Sequence, residues 1–486
     1  MPIISGKEYI ERINALQTDL WMDGEKIKGK ISEHPAFEGI INSQAKLYDL
    51  QCDPTKSDLM TFTSGTTGNK IGTSFLEPKT KEDLEKRRLM TQEWAKVSAG
   101  MMGRSPDYMN TVLMTFATAS DILSEQEKRF TKNMQQLFED AKENDWCFTH
   151  TFINPQKNRA VLQSFFDEDK DQIIAAQTME ENSDGIVIQG ARLLATQGGI
   201  TDEILVFPAP SGAFNEKHAY GFSIPSNTPG LKFISRESFR YRPSSFDHPL
   251  GSRFDEVDTV VVFDHVTVPW ERVFFYKNSE IAYKIYNESS YNPLTAHQVL
   301  SRRIIKIEFI LGLTQVLIST INVGEYQHIH EKVSDIIIGL ESLKALLLTS
   351  ELQATIDKWG TMVPNSTQLD VATNLFPKLY GRCMEVLQQI GASGLVAIPT
   401  ENDFSSPLRS DLDIYLQGAA ENAENRVKIF RLAWDTSMSA FGTRQALYER
   451  FFFGDPVRLA SKLYSIYNRE DEIKHVRQFL QLDNKE

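Results

Sequence analysis

Cysteine is scarce in this 486-residue chain: Cys52, Cys147 and Cys383 lie far apart and form no CxxC pair or Cys/His cluster. A disulfide framework is thereby excluded, and no ligand set for zinc or an iron–sulfur cluster is present, so no metal is expected. Long apolar runs are missing too. No stretch approaches the roughly 20 apolar residues that span a bilayer. The opening MPIISGKEYIERINAL lacks the cationic start, apolar stretch and small-residue cleavage site of a secretory signal. Neither export nor membrane anchoring is expected, and a reducing cytoplasm fits the isolated thiols. Positive charge is in deficit: 52 Lys and Arg against 65 Asp and Glu leave a net charge of −13, which repels phosphate backbones and sets nucleic acid aside as a partner. No G-x-G-x-x-G follows a predicted strand, so a nicotinamide-binding Rossmann unit is unsupported.

What remains is ordinary globular composition, 41% hydrophobic and 24% charged, in a length that allows two to four structural units. The first 150 residues read mostly as helix. Ser5 with Glu8 makes a capping box before KEYIERINAL, and KEDLEKRRLMTQEWAKVSAGMMG and EQEKRFTKNMQQLFEDAKEN carry apolar residues at helical spacing. Between them, the Gly, Thr and Asn of CDPTKSDLMTFTSGTTGNKIGTSF predict loops or a short hairpin. From about 150 to 280 the texture becomes β-branched runs between turns, among them DGIVIQGARLLAT, EILVFPAP, HAYGFSIP, LKFISRESF and DTVVVFDHVTVP, predicting a sheet or barrel. Helical period returns in LSRRIIKIEFILGLTQVLISTI, EKVSDIIIGLESLKALLLTSELQATID and ENAENRVKIFRLAWDTSMSAF, segments suited to a bundle. The expectation is an α+β multidomain chain: an N-terminal helical domain (1–150), a central β domain (151–280) and a C-terminal helix bundle (281–486).

Two apparent motifs carry little. Thr63-Ser64-Gly65-Thr66-Thr67-Gly68-Asn69-Lys70 imitates a phosphate loop, yet a Walker loop needs four residues between its glycines and a Gly-Lys-Ser/Thr end. His328, His330 and Glu331 suggest a metal cluster, but helix residues two apart do not share a face, and a solvated face is the expectation. Two other stretches say more. In Gly103-Arg104-Ser105-Pro106-Asp107-Tyr108 a cation and a phenol stand four residues apart at a Pro-Asp helix start, so both side chains can project into one pocket. Trp146-Cys147-Phe148-Thr149-His150-Thr151-Phe152 sets a lone histidine among aromatics where helices give way to strands, a junction at which small-molecule sites form. Taken alone, Arg104 with Tyr108 reads more readily as a structural pair than as a site, and His150 more readily as a hydrogen-bonded core histidine.

GRSPDYMN, THTFINPQ, GARLLAT, FDHVTVPWERVF and FGTRQALYERFFFGDP occur here in one order. Together they resemble the large oxygenase components of the 4-hydroxyphenylacetate 3-monooxygenase family, two-component flavin-dependent aromatic hydroxylases, from the first helix to near residue 460. The resemblance implies an acyl-CoA dehydrogenase-like architecture of helical domain, β domain and helix bundle, generally a homotetramer. It implies that FADH2 diffuses in from a separate NAD(P)H-dependent flavin reductase and reacts with O2 to a C4a-hydroperoxide. Its distal oxygen is transferred ortho to a phenol hydroxyl, most simply converting 4-hydroxyphenylacetate to the 3,4-dihydroxy acid. The missing Rossmann fingerprint then follows, because nicotinamide chemistry is done elsewhere. Arg104, Tyr108 and His150 match the family's phenol-binding and catalytic positions: fixed charge, a directed hydroxyl, and a group that exchanges a proton near neutral pH. Ser105, Pro106 and Asp107 accompany them at the substrate. Flavin contacts map to His150, Thr151 and Phe152, to Gln156, Lys157, Asn158 and Arg159, to Thr196, and to Phe441, Gly442, Thr443 and Arg444.

The loop that recognises a substrate carboxylate in acid-accepting members follows an LVFP-like strand and includes Ala209, Pro210 and Ser211 here. Ala209 and Pro210 bring no side-chain donor, and Pro210 no backbone N–H, leaving Ser211 to compensate. Other family members hydroxylate phenol, chlorophenols or hydroxycinnamates, and these stay open as substrates, as does reduced FMN in place of FAD. An iron–sulfur 4-hydroxybutyryl-CoA dehydratase of the same superfamily needs cysteine ligands where Arg104, Tyr108 and Ile304 stand. An acyl-CoA dehydrogenase-like flavoprotein would use a carboxylate base that no motif singles out, and a scaffold without chemistry would show no oxygen-dependent turnover.

Overall fold

A computed structural model describes residues 3–155, 173–209, 216–241 and 243–482. The helices Gly6–Leu16, Glu38–Gln51, Lys81–Val97, Pro106–Thr118 and Lys128–Glu143 fill most of the N-terminal third. The first is closed by the Ser5/Glu8 capping box read from the sequence, and a second box, Thr80 with Asp83, starts Lys81–Val97. Each satisfies N-terminal amide groups that the helix cannot pair internally. The turn-rich stretch forms a hairpin, Thr61–Thr63 against Lys70–Gly72. Its TSGTTGNK tip faces acid: Ser64 and Thr67 donate to Glu143 at 2.6 and 2.9 Å. A carboxylate at that point repels a phosphate.

Among the described residues, ten strands make the two larger sheets. In the larger, the order is Glu25–Lys26, Leu20–Met22, Leu231–Ser235, Asp258–Pro269, Gly185–Thr196, Gln177–Glu181. In the smaller it is Val273–Tyr276, Tyr220–Pro225, Glu203–Val206, Phe148–Thr151. Two short N-terminal strands thus join the large sheet, where the sequence suggested only helix and loop; Leu20–Met22 pairs in parallel with Leu231–Ser235, a partner some 210 residues away that local pattern does not reveal. The sheets meet through aromatic side chains, with Phe222 edge-on to Phe263 at 6.1 Å between ring centroids.

After Ser279–Asn287 come the long helices Tyr291–Ile321, Gln327–Leu352 and Ser366–Gly391, then Ala423–Ser437 and Ala440–Phe451. Tyr291–Ile321 packs against Lys81–Val97 and Pro106–Thr118 on one side and against Gln327–Leu352 and Ser366–Gly391 on the other. It is long and apolar enough to cross a membrane, contrary to the sequence expectation, and 56% of its apolar window is buried. Burial from several sides explains an apolar helix without bilayer chemistry. His328 and His330 stand exposed, as expected, with His330 Nε2 2.7 Å from the Gly324 carbonyl oxygen.

Candidate active site

The site forms where Pro106–Thr118, Tyr291–Ile321 and Ala440–Phe451 meet strand Phe148–Thr151. Pro106 occupies the first turn of its helix, where a missing N–H costs nothing, and its start sets Arg104 just outside the helix and Tyr108 within it. The Arg104 turn is fixed from behind by Glu256. That carboxylate accepts from the amides of Gly103 and Arg104 at 2.8 and 2.6 Å and from Gln197 Nε2 at 3.3 Å.

Arg104 then points into an aromatic box. Its guanidinium carbon lies 4.7 Å from the ring centroids of both Tyr108 and Phe452, and Nη1 donates to Tyr448 Oη at 2.9 Å. Stacking on aromatic faces stabilises a cation that has no carboxylate against its guanidinium among the described residues. Burial pushes the Tyr448 hydroxyl up to about 12 against the pull of Arg104 and Arg302, so Tyr448 remains a neutral phenol. Tyr108, 3% exposed, has its hydroxyl 3.4 Å from that of Tyr291. Its ring lies 5.9 Å from the His150 ring, which in turn lies 4.2 Å from Phe152.

His150 Nε2 is 3.4 Å from Arg104 Nη2. A guanidinium only donates, which makes Nε2 the acceptor and assigns the ring proton to Nδ1. Nδ1 is buried without a hydrogen-bond partner, and so is Arg104 Nε. Burial first, and then the Arg104 charge, hold the imidazole well below its ordinary value. The sequence suggested proton exchange near neutral pH; the structure instead makes His150 a neutral group at pH 7 with one lone pair and one unanswered N–H. Two neighbouring side chains thus each keep a buried donor without an acceptor among the described residues, which a bound oxygen-rich ligand would satisfy.

The other expected residues divide. Ser105 Oγ donates to Asp107 Oδ1 at 2.6 Å, and Gln298 Nε2 donates to Asp107 Oδ2 at 2.8 Å. Burial raises the Asp107 carboxyl above its usual range. Asp107 is therefore spent on anchoring Tyr291–Ile321 and does not face the box. Thr151 donates to the Leu193 carbonyl at 3.4 Å, and Thr196 to Asp258 at 2.9 Å. Arg444 donates to Asp258 at 2.7 Å and approaches Glu256 at 3.5 Å; although burial opposes it, Arg444 holds the Asp258 carboxyl well below the carboxylate range. Phe441 is buried, and Thr443 is exposed. A Cβ on Gly442 would lie 2.6 Å from the Thr436 carbonyl oxygen, so its close approach is to its own chain. Ala209 is half-buried, beside Pro208, whose carbonyl accepts from Tyr286 Oη at 3.0 Å. Gln156, Lys157, Asn158, Arg159, Pro210 and Ser211 lie outside the described residues. The sequence reading missed Glu256, Tyr291, Tyr448 and Phe452. Only FGTRQALYERFFFGDP, quoted for its flavin-contacting start, already held two of them.

Comparison with known proteins decides the family. The model of the 4-hydroxyphenylacetate 3-hydroxylase N-terminal region matches residues 5–275, and that of its C-terminal region residues 282–481. The chain belongs to this family. The hydroxylase is 54% identical to a probable 4-hydroxyphenylacetate 3-monooxygenase of Bacillus subtilis (strain 168), over 99% of both chains. It is 46% identical to the 4-hydroxyphenylacetate 3-monooxygenase oxygenase component of Geobacillus sp. (strain PA-9), over 99% of this chain and 97% of that one. It superposes on a crystal structure of the oxygenase component of 4-hydroxyphenylacetate 3-monooxygenase complexed with FAD and 4-hydroxyphenylacetate. There the TM-score is 0.93 and the identity 43%, with 98% of each chain covered.

The hydroxylase offers a fitting place for a flavin. Besides the unanswered N–H of His150, Leu193 and Leu194 stand 40% and 46% exposed at the end of strand Gly185–Thr196, and Ile153, bridged to Leu193, is 40% exposed. Aliphatic side chains in the open beside polar donors suit a planar ring with an apolar face and a polar edge.

Proposed function

We propose that this hydroxylase is an oxygenase component that ortho-hydroxylates a phenol, 4-hydroxyphenylacetate foremost, with reduced FAD and O2. The observation that carries the reading is the convergence of Arg104, Tyr108 and His150 in one aromatic box with two buried donors unpaired. FADH2 supplies two electrons to O2, so that one oxygen atom enters the ring and the other leaves as water. His150, Thr151, Phe152 and Thr196, with residues 441–444 at the start of helix Ala440–Phe451, would hold the flavin.

The chain's own residues prepare the phenol. Attack by electrophilic oxygen is faster as the ring gains phenolate character, so charge must be stabilised where it develops. Arg104 brings a permanent cation to the phenol oxygen, Tyr108 a hydroxyl, and neutral His150 a hydrogen bond that adds no second positive charge. Tyr448 and Glu256 keep Arg104 in place, and Phe452, Phe152 and Tyr291 exclude water, which protects a reactive oxygen donor from hydrolysis.

The reading extends to a separate flavin reductase as partner, diffusive flavin delivery, a homotetramer, a cytoplasmic location and a division of the chain near 150 and 280. The absence of a Rossmann fingerprint supports the separate reductase, since this chain then receives its flavin already reduced. The test is to mix the protein with photochemically reduced FAD, O2 and 4-hydroxyphenylacetate and assay 3,4-dihydroxyphenylacetate. Catechol formed without any nicotinamide is the expected result, and O2 consumption that never yields catechol from any simple phenol would overturn the reading. Running reduced FMN in parallel decides which flavin is used.

A further inference from the structure

We propose that Arg192 is the anion-recognising residue of the substrate site, taking the carboxylate of an acidic phenol; this deepens the hydroxylase reading and rests on it. Arg192 lies in strand Gly185–Thr196, between the two sheets, and is 1% exposed. Its Nε donates to Tyr220 Oη at 3.2 Å, and Nη1 reaches the Phe152 carbonyl at 3.4 Å. Its guanidinium carbon lies 5.0 Å from the Tyr220 ring centroid. Among the described residues Nη2 has no hydrogen-bond partner and no carboxylate pairs with this guanidinium. A cation buried without a counter-charge is costly. A chain that keeps one gains something from the charge it will meet.

The position says what that charge is. Tyr108, His150, Phe152 and Tyr286 form one aromatic wall, with successive centroid separations of 5.9, 4.2 and 6.1 Å. Tyr291 closes the group, its ring 5.1 Å from Tyr286 and its hydroxyl 3.4 Å from that of Tyr108; Arg104 stands against Tyr108, and Arg192 holds the Phe152 backbone. The Arg192 charge also acts on the Tyr286 hydroxyl, whose hydrogen bond to Pro208 marks the start of the donor-poor Ala209 segment. A para-substituted phenol carries its hydroxyl at one end of the ring and its acid at the other. One cation at Tyr108 and a second at Phe152, on a single aromatic cluster, match that molecule, and Arg192 provides the donors that Ala209 and Pro210 lack.

The test compares 4-hydroxyphenylacetate with its neutral isostere 4-hydroxyphenylacetamide, by equilibrium dialysis against the full-length protein and its Arg192→Gln and Arg192→Lys variants. A charge-assisted pair predicts that the wild type holds the acid about tenfold or more tighter than the amide. Arg192→Gln abolishes the preference, Arg192→Lys keeps part of it, and amide binding hardly changes. If Arg192→Gln does not fold, judged by circular dichroism, the wild-type ratio and the Arg192→Lys ratio still decide. A wild type without preference, or a variant that retains the full wild-type ratio, overturns the proposal. Binding is read without turnover, so failure to make catechol would count against the hydroxylase reading alone.

Discussion

Arg104 and His150 act on one oxygen, and their removal has different consequences. Arg104→Ala takes away the fixed charge proposed to stand at the phenol, and loss of one such stabilising group costs about 10²–10³ in rate. Hydroxylation falls by that order while O2 consumption continues as hydrogen peroxide; His150→Ala behaves likewise with a smaller loss, and unchanged catechol per O2 in both variants would remove these residues from the chemistry. His150 also leaves a mark on stability. Its value in the folded chain lies well below 6.5 because of burial and Arg104, whereas the unfolded chain titrates near 6.5. The unfolded state therefore binds more protons between those values, so the contribution of His150 is complete above pH 6.5 and declines as pH falls through the window. Thermal midpoints measured from pH 7.5 down to pH 5 should drop less for His150→Gln than for the wild type.

The elements that hold these side chains come from distant parts of the chain. Glu256 lies just before strand Asp258–Pro269, yet it fixes the turn before helix Pro106–Thr118. Glu256→Gln would set an amide N–H₂ against one of those two backbone N–H groups, costing about 1–3 kcal/mol. We expect a lower thermal midpoint together with a fall in catechol per O2, while the affinity for 4-hydroxyphenylacetamide changes little. Gly103→Ala reaches the same turn by shape: its Cβ would lie 2.3 Å from Tyr448 Oη, displacing the phenol that holds Arg104, and again coupling falls. What was legible in the sequence follows this division. Capping residues, helical period and the Thr61–Thr63 hairpin are local and could be read, and Arg104, Tyr108 and His150, singled out by several motifs in order, do come together in one box. Glu256, Tyr291 and Tyr448 reach the site across more than 140 residues of sequence, and no periodicity encodes such a contact. Asp107 sat in the right motif but on the far side of its helix turn, bonded to Gln298.

At the scale of the whole molecule, the C-terminal helices leave large apolar side chains exposed. Helix Pro456–Ile466 touches Ser366–Gly391, and Glu470–Phe479 follows it. Val457, Tyr464 and Phe479 are 74%, 71% and 81% exposed. Aromatic and aliphatic groups exposed along two successive amphipathic helices suit a subunit contact, and we expect copies of the same chain to cover them. The net charge of −13 opposes that association over a Debye length of about 8–10 Å at physiological salt. Raising salt should therefore strengthen assembly. A chain ending at Asp455 keeps Arg104, Tyr108, His150, Tyr448 and Phe452 and loses both helices. Sedimentation velocity should show the full chain as a tetramer and the shortened chain as a smaller species, with a larger share of tetramer at 0.5 M than at 0.05 M salt for any intermediate truncation. Identical sedimentation of the two chains would assign the subunit contact to another face.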